Sequence, residues 1–376
     1  MRDELLGRVA GDRDWVIVGA TPEMLAASGF RAVGSDFPVF LHPETREEYA
    51  LARTERKHGR GYRGFEFFAS PDVTLEEDLE RRDLTINAMA RDDAGRLIDP
   101  YGGEADLRAG LLRHVSPAFV EDPLRVLRVA RFAARLGFVV APETRRLLRR
   151  IARSGELATL APERVWQELA RGLMERHPAR MLAVLHDAGA LAAVLPEVAP
   201  LFASATRTRG KRLSRALDRA ADEGAPLEAR YAILAHDLPP GAPSAPRDRA
   251  RLADALSRRL KVPGAARDAA RLAARFLATL DGIGALRPAA ILDLLLAADA
   301  LRRPERLETL LAAHAAVAPG EGGSAVGDRW RDALAAVRRV ALADVARAHA
   351  RADAISKAVR RARLAALRAW QRAPRA

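Results

Sequence analysis

The chain has 376 residues, enough for two or three domains, and its 62 basic against 49 acidic side chains give a formal charge of +13. It has no cysteine, which excludes disulfides, thiol catalysis and cysteine-based zinc sites. No run reaches the ~18 uninterrupted apolar residues of a bilayer span and no signal peptide opens the chain, so a cytoplasmic protein without a membrane partner is expected. The basic excess favours a polyanionic partner. Only four of the 62 basic residues are lysines (Lys57, Lys211, Lys261 and Lys357). Coding bias accounts for arginine over lysine, but not for the net charge.

In chain order, residues 1–8 read as a helix. Residues 14–20, 37–41 and 47–52 read as strands, with 65–68 and 96–98 as shorter ones. Residues 21–27 read as a short helix with Thr21-Pro22-Glu23 as its start signal. These elements make a small α/β head. Residues 53–73 carry Arg53, Arg56, Lys57, Arg60 and Arg63 among glycines; they are a mobile basic loop near the site or an ordinary solvated loop. From residue 121 the pattern is helical, with breaks rich in Pro, Gly and Ala at 239–246 and 319–327. The basic stretch 341–372 either tracks an RNA backbone or is a solvated helix face. No fixed-period repeat occurs.

Asp12 and Asp14 stand at the head of the apolar run Trp15-Val16-Ile17-Val18. On a strand, residues i and i+2 share a face, so the two carboxylates project together. Such a pair suits Mg²⁺, which takes its remaining ligands from water and substrate phosphates, as phosphoryl and nucleotidyl transfer require. The structural alternative is a polar turn ahead of a strand. Glu48, on another predicted strand, is either a third carboxylate of this site or a solvated strand end. Pro123 suits a first helical position with Asp122 as its cap. Arg125, Arg128 and Arg131 then recur every three residues along one face, with Arg135 drifting off it. This row either meets a nucleotide's base and triphosphate or forms a solvated stripe.

Several runs, in this order and at these spacings, resemble the class II tRNA nucleotidyltransferase and poly(A) polymerase family. They are Arg2-Asp3-Glu4-Leu5-Leu6-Gly7, Asp12-Arg13-Asp14, Arg81-Arg82-Asp83-Leu84-Thr85-Ile86-Asn87-Ala88, Asp99-Pro100-Tyr101-Gly102-Gly103, Glu121-Asp122-Pro123-Leu124-Arg125 and Pro162-Glu163-Arg164-Val165-Trp166. The run over 37–57 looks most like the bacterial CCA-adding branch. The close resemblance covers roughly residues 1–200 and continues weakly to the end. It departs from the family at the start. The first signature there reads Gly-Gly-x-Val-Arg-Asp after a strand, whereas Met1 stands in place of the valine and the strand and glycines are missing. The expectation is a GTG valine codon read as the initiator, with Val-Gly-Gly-Ala encoded just upstream and activity raised by restoring it.

The resemblance implies a polymerase β-like α/β nucleotidyltransferase head over 1–118. A helical neck bearing the nucleobase-recognition motif would follow over 119–200, and an all-α body and tail over 201–376. The implied function is template-independent addition and repair of the 3′-terminal CCA of tRNA from CTP and ATP. Asp12 and Asp14 are the implied catalytic residues and Mg²⁺ ligands. Arg2 belongs near the triphosphate, and Arg82 and Asp83 at the ribose 2′ hydroxyl, or in a structural ion pair that anchors residues 85–90. Asp122 and Arg125 would pair with the base edge, while Arg128 and Arg131 hold phosphates or orient Arg125. Glu163 and Arg164 read as structural. The alternatives are a poly(A) polymerase or A-adding enzyme on the same scaffold, and a catalytically impaired RNA-binding relative. His236-Asp237 resembles the His-Asp metal-hydrolase domain of some bacterial members. The chain continues Leu238-Pro239-Pro240 where these have Gly-Lys, and the nearest other histidines are His186 and His314; no phosphohydrolase activity is expected.

Overall fold

A computed structural model describes the chain apart from residues 10–12, 34–38, 58–64, 239–244, 319–320, 348–350 and 374–376. The chain divides into two compact units, Met1–Gly172 with Arg180–Leu195, and Leu173–Ala179 with Pro196–Ala376. The first is α/β at its start and helical thereafter; the second is helical throughout its described residues.

The first unit opens with α1 (Arg2–Leu5), β1 (Asp14–Ile17), α2 (Pro22–Ala27), β2 (Arg31–Val33), β3 (Val39–Leu41) and β4 (Glu48–Leu51). The four strands form one sheet in the order β1-β4-β3-β2. β1 and β4 run parallel, while β3 is antiparallel to both β4 and β2. Thr21 starts α2 as expected: its Oγ1 accepts the Met24 N–H and Pro22 occupies the first turn. The helix buries Leu25 against Phe40 and Leu51, with Ile17, Ala20, Phe30 and Tyr49 packed around them. Alternation along the strands then turns Asp14 with Val16, and Glu48 with Ala50, to the opposite face.

Three expectations for this region change. The first strand stops at Ile17, because the chain turns at Gly19 (φ +78°). β2 was not anticipated, since three residues with an arginine among them give no alternating apolar signal. The basic region contains β5 (Thr54–Lys57), which pairs antiparallel with β6 (Phe65–Phe68); Arg60 and Arg63 lie outside the described residues.

Next come α3 (Leu75–Glu80), β7 (Ala90–Arg91), β8 (Leu97–Ile98), α4 (Gly103–Ala109), β9 (Leu111–Leu112), α5 (Arg125–Leu136), β10 (Val139–Val140), α6 (Pro142–Ser154), α7 (Pro162–Met174), α8 (Pro178–Asp187) and α9 (Leu191–Val194). Thr74 and Glu77 close a reciprocal capping box on α3. The Asp99–Gly103 motif is a docking device. Asp99 accepts the N–H groups of Gly103 (2.7 Å) and Glu104 (2.9 Å). A Cβ at Gly103 would lie 2.2 Å from the Thr85 carbonyl oxygen, so only glycine lets α4 approach this closely. Buried Asp106 then bonds Thr85 Oγ1 at 2.7 Å. The turn at Thr85–Asn87 is thereby pinned from behind.

The second unit contains α10 (Arg207–Asp222), α11 (Leu227–Ala235), α12 (Pro246–Arg259), α13 (Gly264–Phe276), α14 (Pro288–Ala297), α15 (Glu305–Val317), α16 (Glu321–Arg338), α17 (Leu342–Arg347) and α18 (Ala352–Arg372). α11 is buried on all sides, with Tyr231 bonded to Ser257 at 2.9 Å. The break expected over 319–327 is helical from Glu321 onward. The apolar positions Trp330, Ala333, Leu334 and Val337 recur at helical spacing and are buried, which outweighs the cost of the glycines ahead of them. The basic stretch 341–372 is helical as read, in two pieces, α17 and α18. Arg360 of α18 pairs with Asp293 of α14 at 2.8 Å. Among the described residues no helix is long and apolar enough to cross a membrane.

Candidate active site

Asp14 opens β1 and Glu48 opens β4, and the two are register partners in the parallel ladder. Both are exposed. Neighbouring strands lie about 4.8 Å apart and registered residues share a face, so these two carboxylates stand side by side. Asp12 lies outside the described residues, and among those described no three His, Cys, Asp or Glu residues group as a metal centre.

A second cluster forms where α3 ends. Asp83 is buried and accepts from Leu84 N–H (2.9 Å), Asn87 Nδ2 (2.9 Å) and Arg128 Nε (2.7 Å). Burial pushes its carboxyl up, but the charge of Arg128, bonds from Asn87 and Arg128, and the charge of Arg125 outweigh it and hold it below the ordinary range. Burial pulls Arg128 down and the Asp83 charge beside it more than restores it. The sequence paired Arg82 with Asp83; the structure gives them different partners. Arg82 donates to the Asn87 carbonyl (3.3 Å) and to Asp78 (3.3 Å). Adjacent residues in a turn point apart, and the carboxylate finds its guanidinium on α5.

Arg2 of α1 donates to Asn87 Oδ1, pairs with Asp3 at 3.0 Å, and lies 4.8 Å from the Phe132 ring centroid. Asp3 also takes Arg135 Nη2 at 2.9 Å. Burial raises the Asp3 carboxyl, and the bond from Arg2 with the charges of Arg2, Arg135 and Arg8 brings it net below its ordinary value. α1 is thereby tied to both the Asn87 turn and α5.

The arginine row of α5 is not a solvated stripe, because Arg125 and Arg131 are buried. Arg125 Nη2 donates to the Arg81 carbonyl at 2.5 Å, and its guanidinium lies 5.8 Å from the Phe119 ring. Arg128 turns to Asp83. Arg131, expected at a phosphate or on Arg125, pairs instead with buried Glu168 of α7 at 2.6 Å. With residues spaced by three on a 3.6-residue turn, the row drifts round the helix, so its members meet different neighbours. The helix begins at Arg125 rather than at Pro123, and Asp122 caps the turn that leads into it: its Oδ1 accepts the Leu124 N–H at 2.9 Å. Its Oδ2 lies 3.9 Å from Arg164 of α7.

Asp78, Asn87 and Glu168 were not singled out by sequence. Asp78 precedes Arg81 and Arg82 by three and four residues, the spacing of helical neighbours, and that signal was available. Glu168 gave none. In the second unit, His236 Nδ1 bonds the Ile233 carbonyl at 2.8 Å, and burial holds its imidazole below the ordinary value. Asp237 faces Arg209 at 3.5 Å, and His314 bonds Asp281 at 2.9 Å.

The family described as the poly A polymerase head domain matches residues 1–113, and a probable RNA and SrmB-binding site of polymerase A matches 137–202. The Multifunctional CCA protein of Pseudomonas paraeruginosa is 50% identical over 99% of this chain and 96% of its own. The CCA-adding enzyme of Bordetella pertussis is 52% identical over 98% and 94%. Among solved structures, the Bacillus stearothermophilus CCA-adding enzyme in complex with CTP superposes with a TM-score of 0.68 at 27% identity, covering 98% of this chain and 87% of that one. With an α/β nucleotidyltransferase head, a helical body and half its residues shared with such relatives over nearly its whole length, the chain belongs to the CCA-adding family of tRNA nucleotidyltransferases.

Proposed function

We infer that this chain builds and repairs the 3′-terminal CCA of tRNA from CTP and ATP, without a nucleic-acid template. The observation that carries this is the near-full-length identity to relatives named for CCA addition. The first unit supplies matching chemistry. Asp14 and Glu48 are hard oxygen donors at adjacent strand positions, with Asp12 two residues ahead in sequence, and this donor set fits Mg²⁺. The chemistry such an ion supplies when bound is polarisation of the tRNA 3′ hydroxyl and neutralisation of the triphosphate.

The side chains of Arg82 and Arg128 are 28% and 35% exposed, and these faces are the cationic surface for the triphosphate. Asp83 serves by fixing Arg128. Asp122 reads the base with Oδ2, since Oδ1 holds the Leu124 N–H. An ionised carboxylate only accepts and a guanidinium only donates. Cytosine and adenine both present an amino donor beside a ring-nitrogen acceptor, which Asp122 and Arg125 complement; guanine and uracil present the reverse order. The Arg81 carbonyl and Phe119 set the plane of the Arg125 fork.

The test is incorporation of labelled CTP and ATP into tRNA lacking its 3′ CCA, with Mg²⁺, beside an Asp12→Ala/Asp14→Ala variant. Addition of two C and one A, lost in the variant, is expected. Addition of A alone, or of a long A tail, would assign the A-adding or poly(A) reaction instead. Retained tRNA binding without any addition would make the chain a binding relative.

A further inference from the structure

We infer that Asp78 is a positioning residue for nucleotide selection: one buried carboxylate that sets both arginines of the Arg81-Arg82 pair and joins them to the turn that leaves β4. The inference rests on the base-reading roles of Asp122 and Arg125 proposed above.

Asp78 lies on α3 and is fully buried. Oδ1 accepts from Arg81 Nε (3.0 Å), Arg81 Nη2 (2.7 Å) and the Arg53 backbone N–H (3.3 Å); Oδ2 accepts from Arg82 Nη2 (3.3 Å). Arg53 lies two residues past the end of β4, after Ala52, whose N–H bonds the Ile17 carbonyl of β1 at 2.8 Å. The same carboxylate thus holds the backbone just past the C-terminal end of β4, the end opposite Glu48.

From each arginine a further link runs into the site. The Arg81 carbonyl accepts Arg125 Nη2, so fixing Arg81 fixes the acceptor that aims Arg125. Arg82 donates to the Asn87 carbonyl, while the Asn87 side chain accepts from Arg2 and donates to Asp83, which holds Arg128. These bonds join the guanidiniums of Arg2, Arg81, Arg82, Arg125, Arg128 and Arg135 through the carboxylates of Asp3, Asp78 and Asp83, and the charges of Glu168 and Asp122 also act on Arg128. Holding two like charges side by side requires an anion between them, and Asp78 is that anion. Arg81 and Arg82 keep 20% and 28% of their side chains exposed. Loss of the charge therefore leaves neither guanidinium stranded away from water.

The experiment is steady-state CCA addition with Asp78→Asn and Asp78→Glu, varying CTP, ATP and tRNA separately and adding GTP and UTP as competitors. Asp78→Asn is expected to raise KM for CTP and ATP by about tenfold and to increase G and U incorporation, with KM for tRNA and kcat held within about twofold. Asp78→Glu, which keeps the charge, recovers part of the loss. An Asp78→Asn enzyme with lowered kcat or thermal stability but unchanged nucleotide KM and selection would show a merely structural anchor and overturn the inference. If that variant does not fold, Arg81→Gln cuts the same link from its partly exposed end, and unchanged nucleotide KM there overturns it equally. Asp122→Ala separates the two readings. Altered selection in Asp122→Ala but not in Asp78→Asn overturns the role of Asp78 alone. Unaltered selection in both overturns the base-reading roles as well.

Discussion

Arg128 of α5 donates from Nε to Asp83 Oδ2 at 2.7 Å across 45 residues of sequence, with the Asp83 side chain 4% and the Arg128 side chain 35% exposed. The asymmetry in burial predicts an asymmetry in mutation. Arg128→Ala leaves a buried carboxylate without its main countercharge and is expected to cost ~3–5 kcal/mol, whereas Asp83→Asn returns a guanidinium that already reaches water and costs less. Urea denaturation of the two variants checks the order. Equal losses, or a larger one for Asp83→Asn, would contradict it.

The same pair predicts a pH dependence. Asp83 and Asp3 are held below the ordinary carboxylate value in the folded chain. Their contribution is fully present above the unfolded value near pH ~4 and is lost as pH falls through the lower folded value. The difference in melting temperature between wild type and Asp83→Asn is therefore largest at neutral pH and shrinks below pH ~4. A difference that stays constant down to pH ~3 would show that the Asp83 charge does not carry it.

Glu168 and Arg131 are buried on both sides of their ion pair. Glu168→Ala is expected to destabilise the chain by ~3–5 kcal/mol. KM for CTP and ATP should be unchanged where the variant is folded, because the Arg131 guanidinium is taken up by Glu168 of α7. Denaturation and steady-state kinetics on one preparation separate the two effects. A nucleotide-specific defect at full stability would put Arg131 back at the substrate.

Asp14 and Glu48 predict a metal requirement with unequal sensitivities. Asp14→Asn should abolish CCA addition, and Glu48→Gln should raise the Mg²⁺ needed for half-maximal rate by about tenfold, with melting unchanged because both residues are exposed. Chelation by EDTA should stop the wild type. A Glu48→Gln enzyme with the wild-type Mg²⁺ curve would remove Glu48 from the site.

Local features of the fold were legible because they are written in adjacent residues. The Thr21-Pro22 helix start and the strands over 39–41 and 48–51 follow from cap chemistry and alternation. The register that sets Asp14 beside Glu48 did not, since pairing between strands over thirty residues apart is fixed by the sheet core. The same divide runs through the site. The Asp122 cap is a local signal. The partners of Arg128, Arg131 and Arg135 lie 45, 37 and 132 residues away, and spacing along a helix says nothing about which carboxylate each meets. Arg82 and Asp83 misled because adjacency in sequence suggested a pair that the turn geometry keeps apart.

Asp122 and Arg125 are the residues proposed to choose the base. The direct measurement is single-turnover incorporation of each of the four nucleoside triphosphates into tRNA lacking its 3′ CCA, by wild type and by Asp122→Ala. Wild type is predicted to take CTP and then ATP, and to reject GTP and UTP by on the order of 10⁴. Asp122→Ala is predicted to lose most of that ratio while still binding tRNA. A variant that retains full discrimination would place base selection on other residues.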